Sequence, residues 1–260
     1  MKNIFYQVDA FTSGLFSGNP AAVCPLESWL EDEVMQKLAI ENNLSETAFF
    51  IRTPRGYHVR WFTPQCEMKL CGHATLAAAY VLWNHLDEKR DVLEFDSLSG
   101  KLIVTREGDW IKLDFPQSLA HECVKPRFLE EGLGIVVNKV FKADDYIVLL
   151  ENEKAVKRVE PFFEELIKVQ SRGIIVTAIG DDCDFVSRYF APASGINEDP
   201  VTGSAHTQLI PFWAQRLGKL TMNAKQISKR GGFLKCALNG DRVYISGQAK
   251  LYLRGEYYLS

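Results

Sequence analysis

The segment NEDPVTGSAH, from Asn197 to His206, gathers groups that could do chemistry in a chain that is 47% hydrophobic. Within ten residues it holds two carboxylates, a Thr, a Ser and a His around one Gly. A second segment, CGHATLAAA, places a thiol at Cys71 and an imidazole at His73 on either side of a Gly. Carboxylates and imidazoles are the side chains that most often transfer protons. Both segments are therefore candidate parts of a site.

In both segments the Gly stands where an apolar helix is predicted to begin, at Gly72 and at Gly203. The first turn of a helix carries N–H groups without helical partners and about half a positive charge, so a Gly turn entering it is a ready anion site. Two such turns facing one pocket would suit a small molecule with a carboxylate. Taken alone, each turn is more typical of a plain helix cap.

Three residues near these turns are candidates for acid–base work. Asp199 lies five residues before Ser204, and His73 has the position of Ser204 in the other segment. Glu46 precedes Ala-Phe-Phe in SETAFF, in a strand that is predicted to be half-buried. Burial raises the pKa of a carboxyl group, which suits a group that both takes and gives a proton near neutrality. The alternatives are a strand-edge charge in water for Glu46, a core histidine for His73, and an Asx turn or helix cap for Asp199.

The Cys71 thiol beside His73 also suggests a nucleophile. Residues i and i+2 entering a helix rarely converge on one substrate atom, so a buried structural thiol is the favoured interpretation. The six Cys are spread over the chain without a CxxC or a paired-His spacing. The sequence therefore predicts neither a disulfide framework nor a metal site for zinc, and it predicts that most of the thiols are buried.

Composition and motifs exclude several classes of function. The formal net charge is -3 and Lys and Arg form no long run, so nucleic acid and anionic lipid are not predicted partners. The chain has no P-loop, no GxGxxG and no GxSxG, which argues against nucleotide hydrolysis, dinucleotide binding and a hydrolase elbow. The N-terminal segment reaches Asp9 before any long apolar stretch, so it is not typical of a secretory signal. The longest apolar stretch, ATLAAAYVLW, is about half the length of a membrane span. We predict a cytoplasmic protein that binds a small molecule and no membrane.

The two segments belong to a longer internal repeat. The stretch WFTPQCEMKLCGHATLAAAYVLW resembles YFAPASGINEDPVTGSAHTQLIPFW, and Gly72 and Gly203 are 203 − 72 = 131 positions apart. GKLIVTREGD and GFLKCALNGD repeat at an offset of 132. Two nearly equal offsets favour a duplication over a chance alignment of common turns. We predict two similar domains, 1–117 and 118–260, divided within FPQSLAHECVKP, with a tail that can pack on the first domain.

Hydrophobic periodicity predicts the elements that position these residues. Alternating strands flank Gly108 and Gly240, which is typical of hairpins. The nearly all-apolar run from Ala74 to Trp83 predicts a helix inside its domain, with an equivalent at 205–217 that loses a hydrogen bond or bends at Pro211. Further amphipathic helices are predicted at 28–42 and 160–170.

Five motifs resemble, in order and spacing, those of the phenazine-biosynthesis PhzF-like family: GNPAAV, SETAFF, FTPQCEMKLCGHATLAAAYVL, FAPASGINEDPVTGSAH and QISKRGG. The resemblance implies the α/β (α+β) fold of diaminopimelate epimerase. In that fold two similar domains each wrap a curled mixed or antiparallel β-sheet around a central helix, with the active site between them. The resemblance also implies a homodimer and a cofactor-independent isomerase that acts on a small carboxylate- or amine-bearing metabolite.

The family's characterised member acts on a dihydro-hydroxyanthranilate. In that enzyme a Glu shuttles a proton between carbons of the substrate. The matching position is Glu46. The catalytic positions that the resemblance implies are Glu46, His73 and Asp199. The substrate-binding positions that it implies are Ser45, Gly72, His73, Thr202, Gly203 and Ser204. No metal or cofactor is implied.

Diaminopimelate epimerase uses two Cys, one on each face of the reacting carbon. Cys71 matches the first, whereas Pro200 is expected at the second and cannot carry a proton. A single carboxylate on one face, supplying roughly 10²–10⁴ in rate, therefore fits better than a two-thiol racemase. The alternatives are a small-molecule-binding protein without turnover, a cofactor-free amino-acid epimerase or racemase, and a Cys71-dependent hydrolase. The sequence leaves the substrate and the pathway open.

Overall fold

A computed structural model describes residues 2–259 of the chain. The strands are, in chain order, β1 (Lys2–Ala10), β2 (Asn19–Leu26), β3 (Glu46–Arg52), β4 (Tyr57–Phe62), β5 (Glu67–Met68), β6 (Val92–Ser97), β7 (Gly100–Glu107), β8 (Trp110–Pro116), β9 (His121–Glu122), β10 (Val140–Lys142), β11 (Tyr146–Leu149), β12 (Ile174–Ile179), β13 (Phe185–Ala191), β14 (Ile196–Asp199), β15 (Thr221–Gln226), β16 (Gly232–Asn239), β17 (Arg242–Gly247) and β18 (Ala249–Tyr258). The helices are α1 (Asp32–Asn42), α2 (Gly72–His85), α3 (Leu129–Leu133), α4 (Glu153–Lys157), α5 (Phe163–Leu166) and α6 (Gly203–Leu217), with a 3₁₀ turn at Pro192–Ser194.

The chain forms two compact units. The first contains residues 2–114 together with 245–259, and the second contains residues 115–244. The C-terminal strand β18 thus belongs to the first unit, with the N-terminal half of the chain. The predicted division of the chain into duplicated domains near residue 117 stays a prediction, because compactness is no measure of common descent.

In the first unit, a mixed sheet runs in the order β18-β1-β2-β3-β4-β6-β7-β8. The pairs β2–β3 and β4–β6 are parallel, and the other pairs in this order are antiparallel. The turn between β7 and β8 has Gly108 at φ +62°, a conformation that glycine adopts without steric cost. This confirms the hairpin predicted around Gly108.

In the second unit, the sheet order is β9-β10-β11-β12-β13-β15-β16. The pairs β11–β12 and β13–β15 are parallel, and the rest of this order is antiparallel. From β10 to β16, neighbouring strands are alternately antiparallel and parallel. The neighbouring strands from β1 to β7 in the first unit follow the same order. The prediction of two similar mixed sheets is therefore confirmed.

Each unit buries one long helix. In α2, 11 of 14 residues are buried, and in α6 the number is 11 of 15. Alanine dominates the middle of α2, and it is both the best helix former and small enough to let strands approach closely. α2 packs against β1, β2 and β3. This confirms the helix that was predicted to lie inside its domain.

Pro211 lies within α6, as predicted. A proline has no backbone N–H, so the carbonyl four residues before it loses its helical donor. That carbonyl belongs to Thr207, and it accepts a hydrogen bond of 3.1 Å from the backbone N–H of Ser118 instead. The lost helical bond is thus replaced from the segment that precedes β9.

Two predicted helices are shorter than expected. The helix predicted at 28–42 begins only at Asp32, because Glu31 is extended with ψ 142°. The helix predicted at 160–170 is wrong beyond one turn: α5 covers Phe163–Leu166. After it, Lys168 and Val169 donate to carbonyls three residues back, as in a 3₁₀ turn. This tighter winding supports only short runs, so the helix ends.

The prediction that most thiols are buried is also wrong. Only Cys24, Cys71 and Cys236 are buried. Cys66 is exposed, and the remaining two are half-buried. No helix in residues 2–259 is long and apolar enough to span a membrane.

Candidate active site

Glu46 is the first residue of β3, and only 8% of its surface is exposed. The next four residues of the strand are also buried. β3 runs parallel to β2, with Glu46 in register with Ala21. The structure therefore places this carboxyl group in the interior of the first unit, and the alternative of a strand-edge charge in water does not apply.

The start of α2 supplies the second group. Its N-cap is Cys71, in an extended conformation with φ -143°. Gly72 and His73 form the beginning of the first turn, and 4% of His73 is exposed. The Thr75 hydroxyl donates to the Cys71 carbonyl at 2.5 Å, which holds the turn together.

The imidazole of His73 lies between a carboxylate and two other polar groups. Its Nε2 is 3.2 Å from Oε2 of Glu46. Its Nδ1 is 3.2 Å from Nδ2 of Asn19 and 3.6 Å from Sγ of Cys71. The structure thus brings two predicted catalytic residues, Glu46 and His73, into contact. It adds Asn19, which sequence reasoning missed as a site residue although it lies in the GNPAAV motif.

His73 is a neutral imidazole at physiological pH. Burial lowers the pKa of His73 to about 3, because the charged form would lose its hydration. The first turn of α2 also carries partial positive charge, which opposes a cation at this position. A neutral imidazole beside Glu46 offers one N–H donor and one nitrogen acceptor without adding charge to the site. The pair has the composition of an acid–base site.

The donor types at this position are also those that hold zinc. One ligand atom each from Glu46, Cys71 and His73 lies within 4.8 Å of the others. Yet Cys71 approaches Nδ1 of the ring, while Glu46 approaches Nε2. An ion binds along the lone pair of one nitrogen only, so this arrangement serves a ring that bridges two groups better than a shared metal ligand.

Asp199 anchors a second cluster, within the second unit. It is the last residue of β14 and is 7% exposed. The Thr202 hydroxyl donates to its Oδ2. Gln226, which is fully buried, donates through Nε2 to the Asp199 carbonyl at 2.7 Å and accepts from the Thr202 N–H at 2.8 Å. Gln226 was not predicted as a site residue, although it is the first residue of the QISKRGG motif.

The start of α6 carries the remaining predicted residues. Thr202 is its N-cap, Gly203 is buried and Ser204 is half-buried. The Ser204 carbonyl accepts from the Thr207 hydroxyl at 2.8 Å. Nδ1 of His206 lies 2.8 Å from the Thr202 carbonyl, so this nitrogen carries a proton. Ser45, also predicted to bind substrate, is half-buried directly before β3.

The position equivalent to Cys71 was predicted wrongly. Cys71 is the N-cap of α2, and the N-cap of α6 is Thr202 rather than Pro200. The offset that pairs Gly72 with Gly203 also pairs Cys71 with Thr202, so the choice of Pro200 disagreed with the repeat itself. The second position therefore holds a hydroxyl. A hydroxyl is far less acidic than a thiol, so the argument against a two-thiol racemase is unchanged.

Comparison with known proteins agrees with these features. A family model described as "Phenazine biosynthesis-like protein" matches residues 8–255. An uncharacterized isomerase of Pseudomonas aeruginosa is 52% identical over 100% of both chains. A PhzF-family crystal structure from Enterococcus faecalis is 48% identical, with a TM-score of 0.97 over 100% of both chains. A hydroxyproline epimerase from Agrobacterium vitis shares the fold at 10% identity, with a TM-score of 0.65 over 98% of this chain and 92% of that one.

Proposed function

Because the chain belongs to the phenazine biosynthesis-like (PhzF) family, we propose that it is a cofactor-independent isomerase with Glu46 as the proton shuttle. Its substrate is a small metabolite that bears a carboxylate or an amine. The observation that carries the proposal is the buried Glu46 carboxyl group 3.2 Å from the neutral ring of His73. In the proposed reaction Glu46 removes a proton from one carbon and returns it to another, and His73 orients the carboxyl group.

The proposal gives binding roles to the predicted residues at the two helix starts. Gly72 and Gly203 contribute backbone N–H groups, which suit an anion at the positive end of a helix. Asp199 is held on its side chain by Thr202 and on its carbonyl by Gln226, so its carboxylate is oriented. We propose that Asp199 assists proton transfer, and that Ser45 and Ser204 bind polar groups of the substrate.

Proton exchange in heavy water tests the proposal without knowledge of the pathway. The purified protein is incubated with cyclic and acyclic amino and hydroxy acids, and proton NMR follows the loss of each C–H signal. The proposal predicts exchange at a carbon next to, or conjugated with, a carboxylate in at least one compound. Ligand-detected NMR on the same samples reports binding. If compounds bind but none exchanges a proton, the isomerase hypothesis is wrong and the protein is a small-molecule-binding protein without turnover.

Two further readouts separate the remaining alternatives. An epimerase or racemase exchanges a proton at one carbon and inverts it, whereas an isomerase forms a product with a moved double bond or functional group. A Cys71-dependent hydrolase would release a fragment and stop after thiol alkylation. In ordinary water, a product of unchanged mass whose NMR spectrum shows a moved double bond or functional group supports the proposed isomerase.

A further inference from the structure

Asn19 is buried in a position that the chain constrains tightly. It is the first residue of β2, it is 0% exposed, and it pairs with Ala10 of β1. Gly18 before it has φ +70°, and a Cβ there would lie 2.2 Å from the Ala10 carbonyl oxygen. Only glycine fits at 18, so the chain enters β2 with one backbone geometry. The side chain of Asn19 therefore starts from a fixed point.

The register of β2 and β3 directs Asn19 and Glu46 to the same side of the sheet. Glu46 pairs with Ala21 in this parallel ladder. Paired residues of adjacent strands point to the same face, and so do residues i and i+2 of one strand. Asn19 is two residues before Ala21, so it shares the face of Glu46. His73 of α2 contacts both side chains.

The contact with Asn19 determines which ring nitrogen of His73 carries the proton. Nδ2 of an asparagine has two N–H donors and accepts no hydrogen bond, so the nitrogen facing it at 3.2 Å must accept. That nitrogen is Nδ1. The Cys71 thiol, at 3.6 Å from the same Nδ1, is able to donate to it as well. The Asn19 donor on Nδ1 leaves the ring proton on Nε2.

Glu46 favours the same arrangement from the other side of the ring. Nε2 lies 3.2 Å from Oε2 of Glu46, although the two atoms are not aligned for a hydrogen bond. With the proton on Nε2, the positive end of an N–H bond lies near the carboxylate. With the proton on Nδ1, a lone pair of Nε2 would face the carboxylate instead. The doubly protonated ring is not an alternative near neutrality, since burial lowers the pKa of His73 to about 3. The choice lies between two neutral forms.

We propose that Asn19 is a positioning residue that keeps His73 protonated on Nε2, so that the ring presents an N–H rather than a lone pair to the nearby Glu46 carboxyl group. The positive end of a polar bond near a carboxyl group favours its charged form. Glu46 is thereby held ready to accept a proton. The tautomer of His73 follows from the contacts alone, whereas its effect on turnover rests on the proposed function.

Asn19→Asp is the decisive variant, because it keeps the shape of the side chain and reverses the polarity of the contact. An ionised Asp accepts hydrogen bonds only, so it draws the ring proton of His73 to Nδ1. Nε2 then presents a lone pair to Glu46, or the ring becomes doubly protonated. Asn42→Asp is the matched control, because Asn42 donates to Thr47 of β3 at 3.1 Å and makes no contact with the ring in the described structure.

Long-range proton–nitrogen NMR of protein labelled with ¹⁵N-histidine reads the tautomer directly. His73→Gln assigns the signal among the five His. His206 is an internal reference of the opposite kind, because its Nδ1 donates to the Thr202 carbonyl. We expect the Nε2–H form of His73 in the wild type and in Asn42→Asp, and the Nδ1–H or doubly protonated form in Asn19→Asp. A wild-type ring protonated on Nδ1 overturns the proposal even if the variant does not fold.

The exchange assay in heavy water separates this inference from the proposed function. If an exchanging substrate is found, Asn19→Asp lowers the exchange rate at saturating substrate by on the order of 10²-fold and leaves KM nearly unchanged. If the tautomer shifts but Asn19→Asp exchanges the substrate proton as fast as the wild type, the tautomer has no effect on turnover and that part of the proposal is wrong. If no compound exchanges, the proposed function fails while the NMR result still decides the tautomer.

Discussion

The buried histidine of the candidate site makes a specific prediction about stability and pH. Burial lowers the pKa of His73 to about 3, whereas an unfolded chain has the ordinary value of 6.5. Below pH 6.5 the unfolded state therefore binds a proton that the folded state does not. The sign follows from linkage: the stabilisation is complete above pH 6.5 and falls as the pH drops toward 3. The perturbation is a change from pH 7 to pH 5.

The magnitude follows from the interval between pH 6.5 and pH 5. At about 1.4 kcal/mol for each pH unit, this interval removes about 2 kcal/mol of the free energy of unfolding through His73 alone. Other groups also titrate here, so the comparison is with His73→Gln, which cannot bind the proton. We expect the loss between pH 7 and pH 5 to be smaller by about 2 kcal/mol in this variant. His121→Gln, at an exposed His, is the control.

Urea unfolding followed by tryptophan fluorescence measures this difference. Four of the five Trp lie in residues 2–114, so the signal reports mainly on the unit that contains His73. Each variant is titrated at both pH values, and the two free energies of unfolding are subtracted. The same pH dependence in His73→Gln and wild type would refute a buried, neutral His73. A smaller pH dependence in His121→Gln as well would mean that burial is not the cause.

Two further predictions concern packing and thiol chemistry. A Cβ at Gly173 would lie 2.1 Å from the Tyr189 hydroxyl, so Gly173→Ala should lower the free energy of unfolding by about 1–3 kcal/mol. Gly14→Ala, which meets no atom within 4 Å, is the control, and equal losses in urea titrations would contradict the packing argument. Cys66 is exposed, whereas burial raises the pKa of Cys24 to about 12. An aromatic disulfide reagent should therefore modify Cys66 in a fast phase that Cys66→Ser abolishes; a fast phase that survives would contradict this.

The sequence predicted the features that depend on local pattern. The run from Ala74 to Trp83 is too apolar for a surface helix, and α2 is buried as this requires. Three apolar residues follow Glu46 and Thr47, and the strand that contains them is interior. Internal repetition predicted the second sheet and its helix. These features need only neighbouring residues or a comparison of the chain with itself.

Features that depend on register and on turn geometry were missed or predicted wrongly. The contact of Asn19 with His73 requires the pairing of β2 with β3 and the positive φ of Gly18, neither of which has a local signature. Pro200 was expected at the position of the second Cys, although the offset that pairs Gly72 with Gly203 places Thr202 there. The helix predicted at 160–170 had the right periodicity, but its chain tightens after one turn. The homodimer and the cytoplasmic location stay predictions.

The central claim is that Glu46 carries the transferred proton, and its replacement tests this most directly. Gln at this position keeps the shape of the side chain and its place beside His73, but it cannot take up a proton. With a compound that the wild type exchanges in heavy water, Glu46→Gln should lower the exchange rate by at least about 10²-fold while the compound still binds. An exchange rate within about twofold of the wild type would contradict the account, because a group that can be removed without loss of rate cannot be the base.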